Sequence, residues 1–151
     1  TSTAKGLCYA LNIPLIAVGT LELLVHQGLK LRTGLMLCPM IDARRMEVYA
    51  MIADGGGTIL RNIEAEVVDS TSYQSFLEKG NVLFFGNGAA KCQSVITHPN
   101  ARFELEINPD VRALGELAIR KFETQQFEDI VHFEPFYLKE FQVKKSTRPL
   151  F

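Results

Sequence analysis

Three groups of residues in this 151-residue sequence are of types and at spacings that could do chemistry. In Asp42-Ala43-Arg44-Arg45-Met46-Glu47, two acids bracket two bases. At the junction of two strands such a hairpin could face a bound phosphate, or it could be a satisfied turn network whose exposed pairs contribute about 0 to 1 kcal/mol each. Gly86-Asn87-Gly88-Ala89-Ala90 follows an apolar run. Where a strand becomes a helix, free backbone N–H groups and the helix dipole can receive a phosphate or an adenosine. Two glycines also occur there simply because the chain must turn sharply onto a closely packed helix. The third group is the histidines His26, His98 and His132. None has a second histidine at the i+3 or i+4 spacing that builds a metal site on a helix, so each reads as a surface or half-buried side chain and no metal is expected. There is no Gly-x-Ser-x-Gly elbow and no Walker loop, which removes nucleophile-elbow hydrolases and P-loop enzymes.

Composition narrows the field further. Sixteen basic against seventeen acidic residues leave a formal charge of −1, so nothing draws the chain as a whole to phosphate backbones or anionic lipid. With 47 % apolar residues there is material for one compact domain, or for one domain and part of a second. No stretch reaches the roughly 18 apolar residues of a membrane span, and the first residues lack the pattern of a secretory signal. A cytoplasmic protein is expected. Cys8, Cys38 and Cys92 are odd in number and set among apolar neighbours, as reduced core thiols are.

The elements that must position these groups follow from periodicity. Ala4, Leu7, Cys8 and Leu11 share one helix face over residues 2 to 12, closed by Asn12 and Pro14. Leu15-Ile16-Ala17-Val18 is a short buried-strand pattern, and Thr20 can cap a helix carrying Leu21, Leu24, Val25, Gly28 and Leu29 on one face. Leu35 to Ile41 and Met46 to Ala53 read as paired strands, and after Asp54-Gly55-Gly56-Gly57 a third alternates Ile63, Ala65 and Val67 with Asn62, Glu64 and Glu66. Thr71 and Gln74 stand at capping-box spacing before a short helix ending near Lys79-Gly80. Val82-Leu83-Phe84-Phe85 is too apolar for a one-sided strand and is expected inside the sheet, covered on both faces. A helix from about Ala89 to Ile96, a strand with Phe103, Leu105 and Ile107, and a helix opened by Pro109-Asp110 with Val111, Leu114, Ala118 and Phe122 in register complete the pattern.

From 34 to 130 this order is β-β-β-α-β-α-β-α. It predicts an α/β fold with a mixed five-stranded sheet, the ribonuclease H-like lobe of actin-like ATPases and sugar kinases. The opening helix, strand and helix over residues 1–33 repeat the last three elements of that order, as the end of a first lobe would. Residues 131–151 are expected to be a tail, locally basic through Lys139, Lys144, Lys145 and Arg148 against Glu140.

Taken together, Ser2-Thr3-Ala4-Lys5-Gly6-Leu7, Pro14-Leu15-Ile16-Ala17-Val18 running into Thr20-Leu21-Glu22, Met40-Ile41-Asp42-Ala43-Arg44-Arg45 with Glu47-Val48-Tyr49, Phe85-Gly86-Asn87-Gly88 and, near the end, Tyr137-Leu138 resemble the TsaB (YeaZ) family over essentially the whole chain. The resemblance implies a bacterial, cytoplasmic, non-catalytic scaffold of the tRNA threonylcarbamoyladenosine pathway. Its partners would be the metal-bearing paralogue TsaD and the ATPase TsaE, with tRNA met only through the complex, homodimers possible and no cofactor of its own. Because family pairings use helices of the first lobe, the resemblance points to Ser2, Lys5 and Tyr9 for partner binding. Asp42, Arg44, Arg45, Glu47 and Tyr49 form the family signature, and Gly86, Asn87 and Gly88 a degenerate nucleotide-site turn. Family members carry a glycine-rich segment and most of the first lobe upstream of the Ser-Thr-Ala-Lys stretch, and this sequence is expected to lack them. Leu7, Leu11, Leu24 and Leu29 would then have lost their cover. The alternative is an actin-like phosphotransferase or hydrolase in which Asp42, Arg44 and the Gly86 to Gly88 turn hold a nucleotide, or a glycoprotease-like metallopeptidase.

Overall fold

The structure is a computed structural model that describes residues 1–31 and 33–138. The basic stretch from Lys139 to Arg148 lies outside them. In chain order the elements are α1 (Ser2–Leu11), α2 (Thr20–Lys30), β1 (Met36–Asp42), β2 (Glu47–Ala53), β3 (Ile59–Val67), α3 (Gln74–Leu77), β4 (Val82–Phe85), α4 (Ala89–Cys92), β5 (Ala101–Glu104) and α5 (Val111–Glu123). The five strands form one mixed sheet in the order β3-β2-β1-β4-β5. Its first three strands pair antiparallel, and β4 and β5 join parallel to β1. This is the expected actin-type order.

Alternation along the strands divides the core in two. Cys38, Met40, Val48, Ala50, Ile52, Val82 and Phe84 point to one face, where Tyr73, Leu77, Ala89, Cys92 and Ile96 cover them. Leu37, Met51, Ala53, Leu83 and Phe85 point to the other, beneath Leu21, Leu24 and Val25 of α2. All four residues of β4 are buried, as its unbroken apolar run requires. Burial pushes the Cys38 thiol far above its ordinary pKa, and Cys92 is raised in the same way, so both are inert neutral thiols.

Helix α2 sets its cover close to the sheet because Gly28 presents no side chain. A β-carbon there would stand 2.9 Å from Phe85 and 3.2 Å from Leu37. Leu24 is therefore only 1 % exposed and Leu29 is half-buried, contrary to the expectation that both lie bare. The sheet of this chain supplies the cover that was expected from a first lobe. Leu7 and Leu11 are exposed as expected.

Other local expectations are corrected. Leu15 makes a single bridge to Glu128, and no strand forms over Leu15–Val18, because no neighbouring strand extends the ladder. Gly19, not Thr20, occupies the cap of α2, with its N–H donating to the Glu22 carboxylate at 3.3 Å. Thr71 and Gln74 form no capping box: Asp69 Oδ1 accepts from the N–H groups of Thr71 and Ser72, and Tyr73 turns into α3 at φ 64°. The next helix stops at Cys92 rather than Ile96, where the β-branched run Val95-Ile96-Thr97 begins to disfavour it. Strand β5 ends at Glu104 because its partner β4 is four residues long.

The register of β3 breaks opposite Ala50 and Ile52. That irregularity brings Arg61 to the side of Glu66, its Nη2 2.9 Å from Glu66 Oε2 and its guanidinium 4.6 Å over the Tyr73 ring.

Of the predicted face of α5 only Ala118 is half-buried, and Val111, Leu114 and Phe122 are exposed. Ala113 is buried and Leu117 and Lys121 are half-buried, while Val111 and Phe122 are 77 % and 56 % exposed. Polar contacts with α2 decide this orientation. Glu116 Oε2 lies 2.8 Å from His26 Nε2 and 2.5 Å from Lys30 Nζ, and Lys121 Nζ donates to Glu22 Oε2 at 3.1 Å and to the Ala17 carbonyl at 2.9 Å. Hydrogen bonds from Lys30 and then His26 pull the Glu116 carboxyl down from 4.5 to about 2. A depressed carboxyl stabilises the fold fully above its unfolded pKa and loses that contribution as pH falls toward the folded value. The urea midpoint should therefore drop between pH 5 and pH 2.5. In Glu116→Gln the drop is smaller, since the proton-linked part is gone.

Candidate functional site

Asp42 and the Gly86-Asn87-Gly88 turn are delivered side by side at the C-terminal ends of the parallel strands β1 and β4. The Asp42 N–H donates to Asn87 Oδ1 at 3.0 Å, and Asp42 Oδ1 accepts from the Arg44 N–H at 2.8 Å. Lys91, on α4, donates to Asp42 Oδ1 and to the Glu47 carbonyl, the latter at 2.6 Å. One ammonium thus ties the two sides of the β1–β2 hairpin to α4. The Lys91 bond first, and the Arg44 N–H second, hold the Asp42 carboxyl below the usual carboxylate range.

Arg44 and Arg45 are exposed at the tip of this hairpin and both take the left-handed conformation, at φ 72° and 48°. For non-glycine residues each such angle costs on the order of 1–3 kcal/mol. The Asp42–Arg44 bond, the Ala43 N–H donating to the Glu47 carbonyl and Lys91 together hold the turn in place. Tyr49 lies on the opposite face of the sheet from the α3 side, half-buried beside Ile41 and Ile63.

The glycine turn is used up by the fold. Gly86 adopts φ 89°, and a β-carbon there would stand 2.5 Å from the Met40 carbonyl oxygen. The Gly88 N–H donates to that same oxygen at 3.0 Å, and the Ala89 N–H to Gly86. Two N–H groups that a phosphate would need are thereby committed to protein carbonyls, and the four-residue α4 adds little dipole. The close approach of strands, rather than a ligand, accounts for both glycines.

Ser2, Lys5 and Tyr9 share α1 but not one role. Ser2 and Tyr9 are exposed, Tyr9 at 81 %, whereas Lys5 Nζ donates to the carbonyls of Val131 and Phe133 at 3.1 and 3.0 Å. Lys5 therefore holds the chain's own C-terminal segment. Between α1, residues 15–21, one face of the sheet and residues 133–138 lies an open cleft of about 750 Å³. Its walls are mainly apolar, with Leu15, Ile41, Tyr49 and Phe136 among them, and its one lysine, Lys121, is paired with Glu22. Among the described residues no three histidine, cysteine, aspartate or glutamate side chains converge as a metal site.

Residues 1–147 match the model of the family described as TsaD: tRNA N6-adenosine threonylcarbamoyltransferase. The chain belongs to that family. Two solved structures from Pseudomonas aeruginosa share the YeaZ-like fold at 20 % sequence identity. One, a protein with similarity to peptidase YEAZ, superposes with TM-score 0.74 over 91 % of this chain and 64 % of its own. The other, YeaZ itself, does so with TM-score 0.67 over 90 % of this chain and 65 % of its own. The chain thus spans just under two thirds of the length of each. No curated protein matches it.

Sequence spacing singled out the ends of the site but not Lys91, which closes it from 49 residues beyond Asp42. The signal it offers is its place, one turn past a strand-to-helix glycine pair. Gly86→Ala should cost at least about 2 kcal/mol in urea unfolding, from the left-handed φ and the overlap with the Met40 carbonyl together. A cost under 0.5 kcal/mol would contradict the packing role given to this turn.

Proposed function

We propose that this chain is the larger part of a TsaB-type subunit, a non-catalytic scaffold that promotes N6-threonylcarbamoyladenosine formation on tRNA by docking its TsaD paralogue, with the ATPase TsaE joining the assembly. What carries this reading is the internal closure of the signature site. Asp42 is engaged by Lys91, Arg44 and Asn87, and the Gly88 and Ala89 N–H groups are engaged by the Met40 and Gly86 carbonyls. The place where an enzyme of this architecture would grip phosphate is filled by contacts that stiffen a fold. The family match and the YeaZ-like fold support the same reading. Among the described residues no helix is long and apolar enough to cross a membrane, which fits action on tRNA in the cytoplasm.

In this reading α1 faces TsaD, and exposed Tyr9 is its natural anchor, since large aromatic side chains dominate such contacts. The direct test is threonylcarbamoyladenosine formation with TsaD, TsaE, the carbamoyl-adenylate supplier, tRNA and the protein that contains this sequence. Omitting that protein should abolish most of the product, and an unchanged rate would refute the role. Tyr9→Asp should weaken capture of TsaD roughly tenfold or more while shifting stability by less than about 0.5 kcal/mol, as befits an exposed side chain.

A further inference from the structure

The β1–β2 turn carries arginine twice where its backbone suits glycine or asparagine. Arg44 at φ 72° and Arg45 at φ 48° both lie in the left-handed region, which an Asn-Gly pair would fill without strain. The fold makes no use of the guanidinium groups that come with this strain. Both side chains are exposed, and among the described residues neither forms an ion pair or stands over an aromatic ring. The adjacent acid, Asp42, is already engaged by Lys91 and by the Arg44 N–H. Residues that break a local rule with no compensating contact inside the fold point to a contact outside it.

Magnitudes select the kind of contact. A guanidinium holds a carboxylate or a phosphate through two N–H groups at once. An exposed carboxylate on a protein surface stabilises less than the left-handed backbone costs. A phosphodiester backbone stabilises more, because each phosphate neutralised also releases counterions condensed on the nucleic acid. The setting suits an anion: Arg44, Arg45 and Lys91 outnumber Asp42 and Glu47 at this end of a chain whose formal charge is −1.

We infer that Arg44 and Arg45 are a phosphate-backbone contact for tRNA, used when the chain is held in its assembly. The inference rests on the TsaB-type reading above and adds to it a direct contact with the RNA. Phosphate contacts position the nucleic acid without reading its sequence. Two of them, on a chain with no net positive charge, are too few to retain tRNA alone, so the free chain should show no measurable binding.

The test measures binding of an unmodified tRNA transcript to the assembly of TsaD, TsaE and the protein that contains this sequence, over a range of salt concentrations. Arg44→Asn/Arg45→Gly should weaken binding roughly tenfold and make the plot of log affinity against log salt shallower by about 1.5, the loss of two phosphate contacts. Its urea midpoint should rise, because the strain is relieved, and its capture of TsaD should be unchanged. Arg44→Lys/Arg45→Lys, which keeps both charges, should retain the slope. An unchanged slope with TsaD capture intact overturns the inference alone, whether or not affinity falls. Loss of TsaD capture in Arg44→Asn/Arg45→Gly would assign the pair to an acidic protein surface instead, and a lower urea midpoint would assign it to the fold; either overturns it. If the unaltered protein captures no TsaD, the reading beneath fails and the inference falls with it.

Discussion

Phe84 and Phe85 are adjacent in sequence, fully buried, and directed to opposite faces of the sheet. That single constraint organises the molecule. Each fully buried aromatic side chain stabilises the fold by roughly 1.5–3 kcal/mol only where its own face is sealed, so the sheet must be covered twice. One cover comes from α3, α4 and the turns around them. The other comes from α2, drawn close by the bare backbone of Gly28. Stacking with Phe103 and an edge contact with Tyr73 fix the orientation of Phe84, both with ring centroids 5.2 Å apart.

The same packing shapes the functional end. Strand β4 must run deep between its neighbours and then leave the sheet sharply, which requires a positive φ at Gly86 and close passage of Gly88 beside β1. Once the two backbones touch, Asn87 and Lys91 are delivered to Asp42, and the hairpin that carries Arg44 and Arg45 is tied from both sides. The Gly88 and Ala89 N–H groups are turned onto the Met40 and Gly86 carbonyls. Outside this closed end, large apolar side chains stay exposed on α1 and α5, Tyr9 and Phe122 among them.

Much of this could be read from residue order. The strand and helix sequence from β1 to α5, the two-sided burial of β4 and the apolar face of α2 all follow from periodicity, because each segment repeats its pattern for long enough to name its own geometry. What periodicity does not name is the neighbour. The stripe on α5 is a true helix face, yet His26, Lys30 and Glu22 on α2 pair with Glu116 and Lys121 and leave Val111 and Phe122 outside. Leu24 was assigned to the wrong cover for the same reason. At Thr71 a competing acceptor, Asp69, took the N–H groups that a capping box would have used. Lys91 escaped notice because no local spacing links it to Asp42.

Asp42 and the Gly86–Gly88 turn are engaged by the protein's own groups, and an end of the sheet closed in this way would take up no nucleotide. Isothermal titration of the isolated protein with magnesium ATP up to millimolar concentration tests it most directly. The account predicts no saturable heat. Stoichiometric binding that disappears in Asp42→Asn would contradict it and would favour a phosphotransferase instead.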